Sequence, residues 1–138
     1  MIDFSTVKSA LINIGVTSSS INQLDSKYSI PTEKWVLDTS FGLSSQISSM
    51  LGGWTDESRD CDDYALSTMA LMRLFHSKNN PNTSLAVGYF QYNQENIGCH
   101  AINIAFIENS KIMFFEPETG KLLNLTTKEI RSCSRLLI

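Results

Sequence analysis

Apolar positions recur along this chain in two rhythms, and the change from one to the other falls near residue 80. In the first half they return every three or four residues, the spacing of one helix face. Phe4, Val7, Leu11 and Ile14 form such a stripe, so residues 3–14 read as an amphipathic helix with Asp3 or Ser5 as cap and Gly15 as stop. Residues 18–26 suggest a second short helix, with Ile21 and Leu24 inward. Pro31 suits the first turn of another, followed by Glu33, Trp35 and Val36. The Ser- and Gly-rich stretch 38–53 is read as a partly mobile segment beside the site, with one helical turn at Ile47, Met50 and Leu51 before Gly52 and Gly53. The strongest helix runs from Asp62 to about His76. There Ala65, Leu66, Met69, Met72, Leu74 and Phe75 make an almost continuous apolar face, as a helix buried against a sheet requires. Asp60 stands where a cap belongs, and Asp62 and Asp63 favour the positive end of the helix.

Beyond the loop Lys78-Asn79-Asn80-Pro81-Asn82 the pattern becomes that of β-strands, short apolar-rich runs bounded by turn residues. It predicts strands at Ser84 to Tyr92, Cys99 to Ile107, Lys111 to Glu116, Lys121 to Leu125 and Cys133 to Ile138. Glu108-Asn109-Ser110 and Glu118-Thr119-Gly120 are the turns between neighbours. Helices first and an antiparallel meander second is the α+β arrangement. One domain is expected over 1–138, helical over about 1–77 and sheet over about 84–138.

Composition narrows the function classes. A net charge of −3 with scattered Lys and Arg offers no footprint for a nucleic acid. No apolar run is long enough to span a bilayer, and Met1-Ile2-Asp3-Phe4 lacks the features of a signal peptide, so no membrane partner and a cytoplasmic location are expected. Three widely spaced cysteines, Cys61, Cys99 and Cys133, are neither a disulfide framework nor a zinc motif.

Cys99 and Cys133 fit the role of small buried hydrophobes in or beside strands. Cys61 does not, because Asp60, Asp62 and Asp63 surround it and it stands at a helix start. Helix starts concentrate unpaired N–H donors and positive potential, which favour a nucleophilic thiolate. Of the two histidines, His76 lies at the far end of the same helix, roughly 20 Å away at 1.5 Å per residue. His100 is then the candidate base. If Glu108-Asn109-Ser110 is a three-residue loop, Ile107 pairs with Lys111 and Ile102 lies opposite Glu116. His100 and Glu116 then share a face as diagonal neighbours, and the second ring nitrogen is expected to point toward Cys61. Asn103 alternates to the other face. Each residue also has a plain structural role open to it, as a buried thiol, a half-buried strand histidine, a strand-end glutamate or a helix-start carboxylate.

Arg59-Asp60-Cys61-Asp62-Asp63-Tyr64-Ala65 resembles the signature of bacterial transglutaminase-like cysteine proteinases, and is similar to the papain-like catalytic domain of the mushroom agglutinin-related lectins. His100-Ala101-Ile102-Asn103 resembles their His-Ala-x-Asn strand, and Phe115-Glu116-Pro117-Glu118-Thr119-Gly120 their Glu-Pro-x-Thr-Gly segment. Tyr28-x-x-Pro31 is a weaker echo. The resemblance implies a papain-like or transglutaminase-like core, with the cysteine helix packed on the sheet. It implies Cys61 as nucleophile, His100 as base and Glu116 as third member. No cofactor is required; in the agglutinin type a calcium ion lies near the cleft, for which Asp62, Asp63 and Glu118 offer hard oxygen donors. The sugar-binding module that accompanies the agglutinin domain is not expected over these residues, so carbohydrate targeting is not expected to carry over. The oxyanion donor is left unassigned: the Cys61 N–H is one candidate, and Gln46 or a residue near Trp54 is a candidate for the second.

The expected function is thus a thiol hydrolase that cleaves a peptide or isopeptide-like amide of a protein or peptide substrate through a thioester. Alternatives are acyl transfer or deamidation through the same thioester, a non-catalytic protein-binding domain on the same fold, and a metal-dependent interaction protein. The oligomeric state is left open.

Overall fold

The computed structural model describes residues 1–51 and 61–138. Among them the elements run β1 (Ile2–Asp3), α1 (Phe4–Ile14), β2 (Ile21–Asn22), β3 (Lys27–Ser29), α2 (Glu33–Leu51) and α3 (Cys61–Ser77). They continue with β4 (Ser84–Leu85), β5 (Val87–Gln94), β6 (Gly98–Ile107), β7 (Lys111–Glu116), β8 (Lys121–Leu123), α4 (Thr127–Arg131) and β9 (Arg135–Leu137). The chain is α+β. Its main sheet has the strand order β2-β9-β5-β6-β7-β8, and a smaller sheet the order β1-β3-β4. β5 to β8 form the expected antiparallel meander. β9 returns antiparallel to the free side of β5, and β2 joins it in parallel.

Strand alternation divides the core into two faces. Phe90, Tyr92, Ile102, Ile104, Phe106, Phe114 and Leu136 bury one face with Val7 and Leu11 of α1 and Ile130 of α4. Val87, Ala105, Ile107, Met113 and Phe115 bury the other with Val36, Leu43 and Ile47 of α2 and Tyr64 and Met72 of α3. The main sheet is therefore a middle layer between two helical layers. Each fully buried large side chain contributes about 1.5–3 kcal/mol over its exposed state.

Several elements follow from local chemistry. Gly15 ends α1 with φ of +113°. Its N–H reaches the Ile12 carbonyl while the N–H of buried Val16 reaches Leu11, the paired closure that a left-handed residue permits. Ile107 pairs with Lys111, as the three-residue turn requires. Asn109 and Ser110 take φ of 63° and 57° to close that turn, a conformation that asparagine tolerates.

Other elements differ from expectation. Residues 18–26 hold a short 3₁₀ turn at Ser18–Ser20 and then strand β2, not a helix, because Ile21 pairs with Leu136. Short strands thus occur within the part read as helical. The stretch from 38 to 51 belongs to α2: buried Val36, Leu43 and Ile47 recur at helical spacing, and buried Ser40 is small enough to sit between them. Helix α4 interrupts the part read as sheet. It begins with a reciprocal cap, Thr126 Oγ1 accepting from the Glu129 N–H and Glu129 Oε1 accepting from the Thr126 N–H, both at 3.1 Å. Leu74 and Phe75 do not join the buried face of α3; they are 64% and 51% exposed.

Candidate functional site

Cys61 is the first residue of α3 and is half-buried. It packs with Ala65, Met69, Tyr89 and Ala101. A hollow of about 250 Å³ lies here, lined by Cys61, Asp62, Tyr89, Gln91, Cys99 and Ala101. The Tyr89 hydroxyl donates to Gln91 Oε1 at 2.8 Å, and Gln91 Nε2 donates to Cys99 Sγ at 3.4 Å. Burial, and then the nearby Asp62 and Cys61, push the Tyr89 phenol up to about 12, so it stays protonated as a donor.

His100 and Glu116 meet as the register requires. His100 Nε2 lies 2.9 Å from Glu116 Oε2, with both side chains 19% exposed. The Tyr92 ring meets the imidazole edge-on, at 5.9 Å between centroids. Burial first, then the Glu129 and Glu116 carboxylates, raise the Tyr92 phenol to about 12.

The sheet separates these two groups. β5 and β6 pair without interruption from Gln94↔Gly98 to Val87↔Ala105, so no bulge resets the alternation. Cys99, Ala101 and Asn103 turn toward α3. Asn103 marks this face directly: its Nδ2 donates to the Ala65 carbonyl of α3 at 2.8 Å and to the Gly88 carbonyl at 2.9 Å. His100 and Ile102 turn toward the layer of α1 and α4, where Ile102 and Tyr92 are buried. The structure therefore brings His100 and Glu116 together and sets Cys61 against the opposite face of β6. The expectation that the second ring nitrogen of His100 points toward Cys61 is corrected on that ground.

The remaining expected participants are dispersed. Asp62 and Asp63 occupy the first turn of α3, and Glu118 follows β7 in the turn to β8. Among the described residues no three His, Cys, Asp or Glu side chains gather to hold a metal ion. Gln46 is exposed on α2. Asp60, read as the cap, and Arg59, Gly52, Gly53 and Trp54 lie outside the described residues. His76 sits in the last turn of α3, half-buried, and burial lowers its pKa. No described helix is long and apolar enough to cross a membrane.

No family model and no curated protein matches the chain. Several solved chains share its fold, among them these two. One is described as "PSL1a-E64 complex", with a TM-score of 0.79, 19% identity, and coverage of 99% of this chain and 51% of that one. The other is Polyporus squamosus lectin bound to the human-type influenza-binding epitope Neu5Aca2-6Galb1-4GlcNAc, with a TM-score of 0.77, 19% identity, and coverage of 99% and 49%. The chain spans about half the length of these solved chains. At this identity the likeness shows the fold alone. The assignment to papain-like or transglutaminase-like cysteine proteinases is corrected: no family model supports it, and the second of these structures is one of a lectin. The thiol-hydrolase function and its peptide substrate are withdrawn with that assignment.

Proposed function

We propose that this chain is a non-catalytic binding domain whose ligand is a carbohydrate. The observation that carries the reading is the fold shared with a lectin over 99% of the chain, one solved structure of which holds a sialylated glycan. The placement of Cys61 and His100 on opposite faces of β6 supports it, since general-base activation of a thiol needs the two within hydrogen-bond reach. Because the chain spans half of the lectin chain, its own binding surface has to be found on its own residues.

The test is an array of neutral and sialylated glycans probed with the wild-type chain, Cys61→Ala and His100→Ala. Retained glycan binding in both variants is the expected result. Absence of any glycan binding by a folded wild-type chain overturns the carbohydrate reading. The non-catalytic reading falls if Cys61 is alkylated by iodoacetamide at acidic pH and His100→Ala slows that reaction.

A further inference from the structure

A second hollow, of about 340 Å³, opens where the segment entering α2 meets the end of α3. This volume is within the range of small-molecule sites, roughly 300–1,000 Å³. Trp35 and Phe75 line it, 37% and 51% exposed, two large aromatic side chains left in contact with water. Ser29, His76, Asn79 and Asn80 supply polar groups around them. Aromatic plates beside amides and hydroxyls match a pyranose, whose C–H face is apolar and whose rim carries vicinal hydroxyls. An asparagine amide both donates and accepts, as neighbouring hydroxyls need.

The walls are held in place before any ligand arrives. Thr32 Oγ1 accepts from the Trp35 N–H at 3.1 Å and so caps α2. The Pro31 carbonyl accepts from the Glu108 N–H at 3.2 Å. Ser29 Oγ and Thr83 Oγ1 share a hydrogen bond at 2.6 Å, and the Asn80 amide donates to the His76 carbonyl at 3.1 Å. Such preorganisation cuts the entropic cost of binding. Charge selects the ligand class further. The described lining residues include no Lys, Arg, Asp or Glu, and burial shifts the one histidine among them, His76, toward its neutral form, so a carboxylate or phosphate finds no fixed countercharge there.

We infer that the hollow between Trp35 and Phe75 binds a neutral saccharide, with the two rings stacking on the sugar and Asn79 and Asn80 bonding its hydroxyls. This rests on the carbohydrate reading above and adds to it a place and a ligand class. It differs from the sialylated epitope of the lectin structure in having no acidic group to bind.

The experiment is the same glycan array with the wild-type chain, Trp35→Ala and Asn79→Ala, followed by calorimetric titration of the best neutral glycan. Asn79 is exposed in the loop after α3, so its variant keeps the fold even where the Trp35 change disturbs α2. The expected result is binding of a neutral glycan, weakened roughly tenfold or more by Trp35→Ala and measurably by Asn79→Ala. Neutral glycan binding that survives both variants unchanged overturns the site and leaves the carbohydrate reading standing. Binding confined to sialylated glycans overturns the ligand class. No glycan binding at all overturns both.

Discussion

His100 and Glu116 are joined at 2.9 Å across β6 and β7, on the sheet face that looks away from Cys61. A carboxylate in such a half-buried pair leaves its partner unsatisfied when it is removed. Glu116→Ala is expected to cost about 1–3 kcal/mol in urea unfolding. Alkylation of Cys61 in the folded protein is expected to proceed at the wild-type rate. A slower reaction of Cys61 in this variant would mean that the pair communicates with the thiol across the sheet.

Asn103 is fully buried and ties α3 to β5 through the Ala65 and Gly88 carbonyls. Asn103→Ala leaves the two carbonyls without that donor and is expected to lower stability by about 1–3 kcal/mol. Asn103→Asp is expected to be worse, since it aims a buried acceptor at two acceptors. Thermal unfolding of the two variants checks the order, and Asp more stable than Ala would overturn the assignment.

Gly88 has no room for a side chain: a Cβ there would lie 2.1 Å from the Leu137 carbonyl oxygen. Gly88→Ala must push β9 away from β5, at a cost expected to reach ~3 kcal/mol or more. Amide exchange in β9 is expected to accelerate ahead of exchange in β6 and β7. Gly120 carries a similar constraint against α2, with φ of +68° and a would-be Cβ 2.7 Å from the Phe41 backbone.

Glu129 sets part of the acid limb of stability. Main-chain N–H donors of Thr126 and Glu95 hold its carboxyl below the usual glutamate value. A lowered folded-state pKa means that the unfolded chain binds the proton more readily. The resulting stability is present above the ordinary carboxylate range and is lost as pH falls through the folded value. Glu129→Gln is expected to flatten the decline of unfolding free energy across that acidic window. An unchanged slope would show that the two N–H bonds do not govern the titration.

Much of the local architecture was readable from pattern. The Phe4–Leu11 stripe with Gly15 and the apolar run of α3 carry a helical period, and the short apolar runs of β6 and β7 between turn residues mark strands buried on both faces. The Ile107↔Lys111 register was readable too, because a three-residue turn leaves one parity. α4 was missed although Thr126-x-x-Glu129 is a helix-start signature. Between its first turn and the turn at Ile47, Met50 and Leu51, α2 was missed because its serines hide the spacing of Val36, Leu43 and Ile47. The hollow at Trp35 and Phe75 was missed because exposure at a helix end leaves no mark on apolar periodicity.

Pattern along β6 also shows that His100 and Asn103 look to opposite sides, for alternation is a property of the backbone itself. Which side receives α3 is not a local matter. Small Ala101 and Ala105 admit the helix on the Asn103 side, where the amide bonds the Ala65 carbonyl. Phe90, Ile102 and Phe114 fill the His100 side, where α1 packs. Cys61 is parted from His100 by that choice of layer, made by side-chain volume across distant segments, while the bond between His100 and Glu116 follows from two adjacent strands and the turn that joins them.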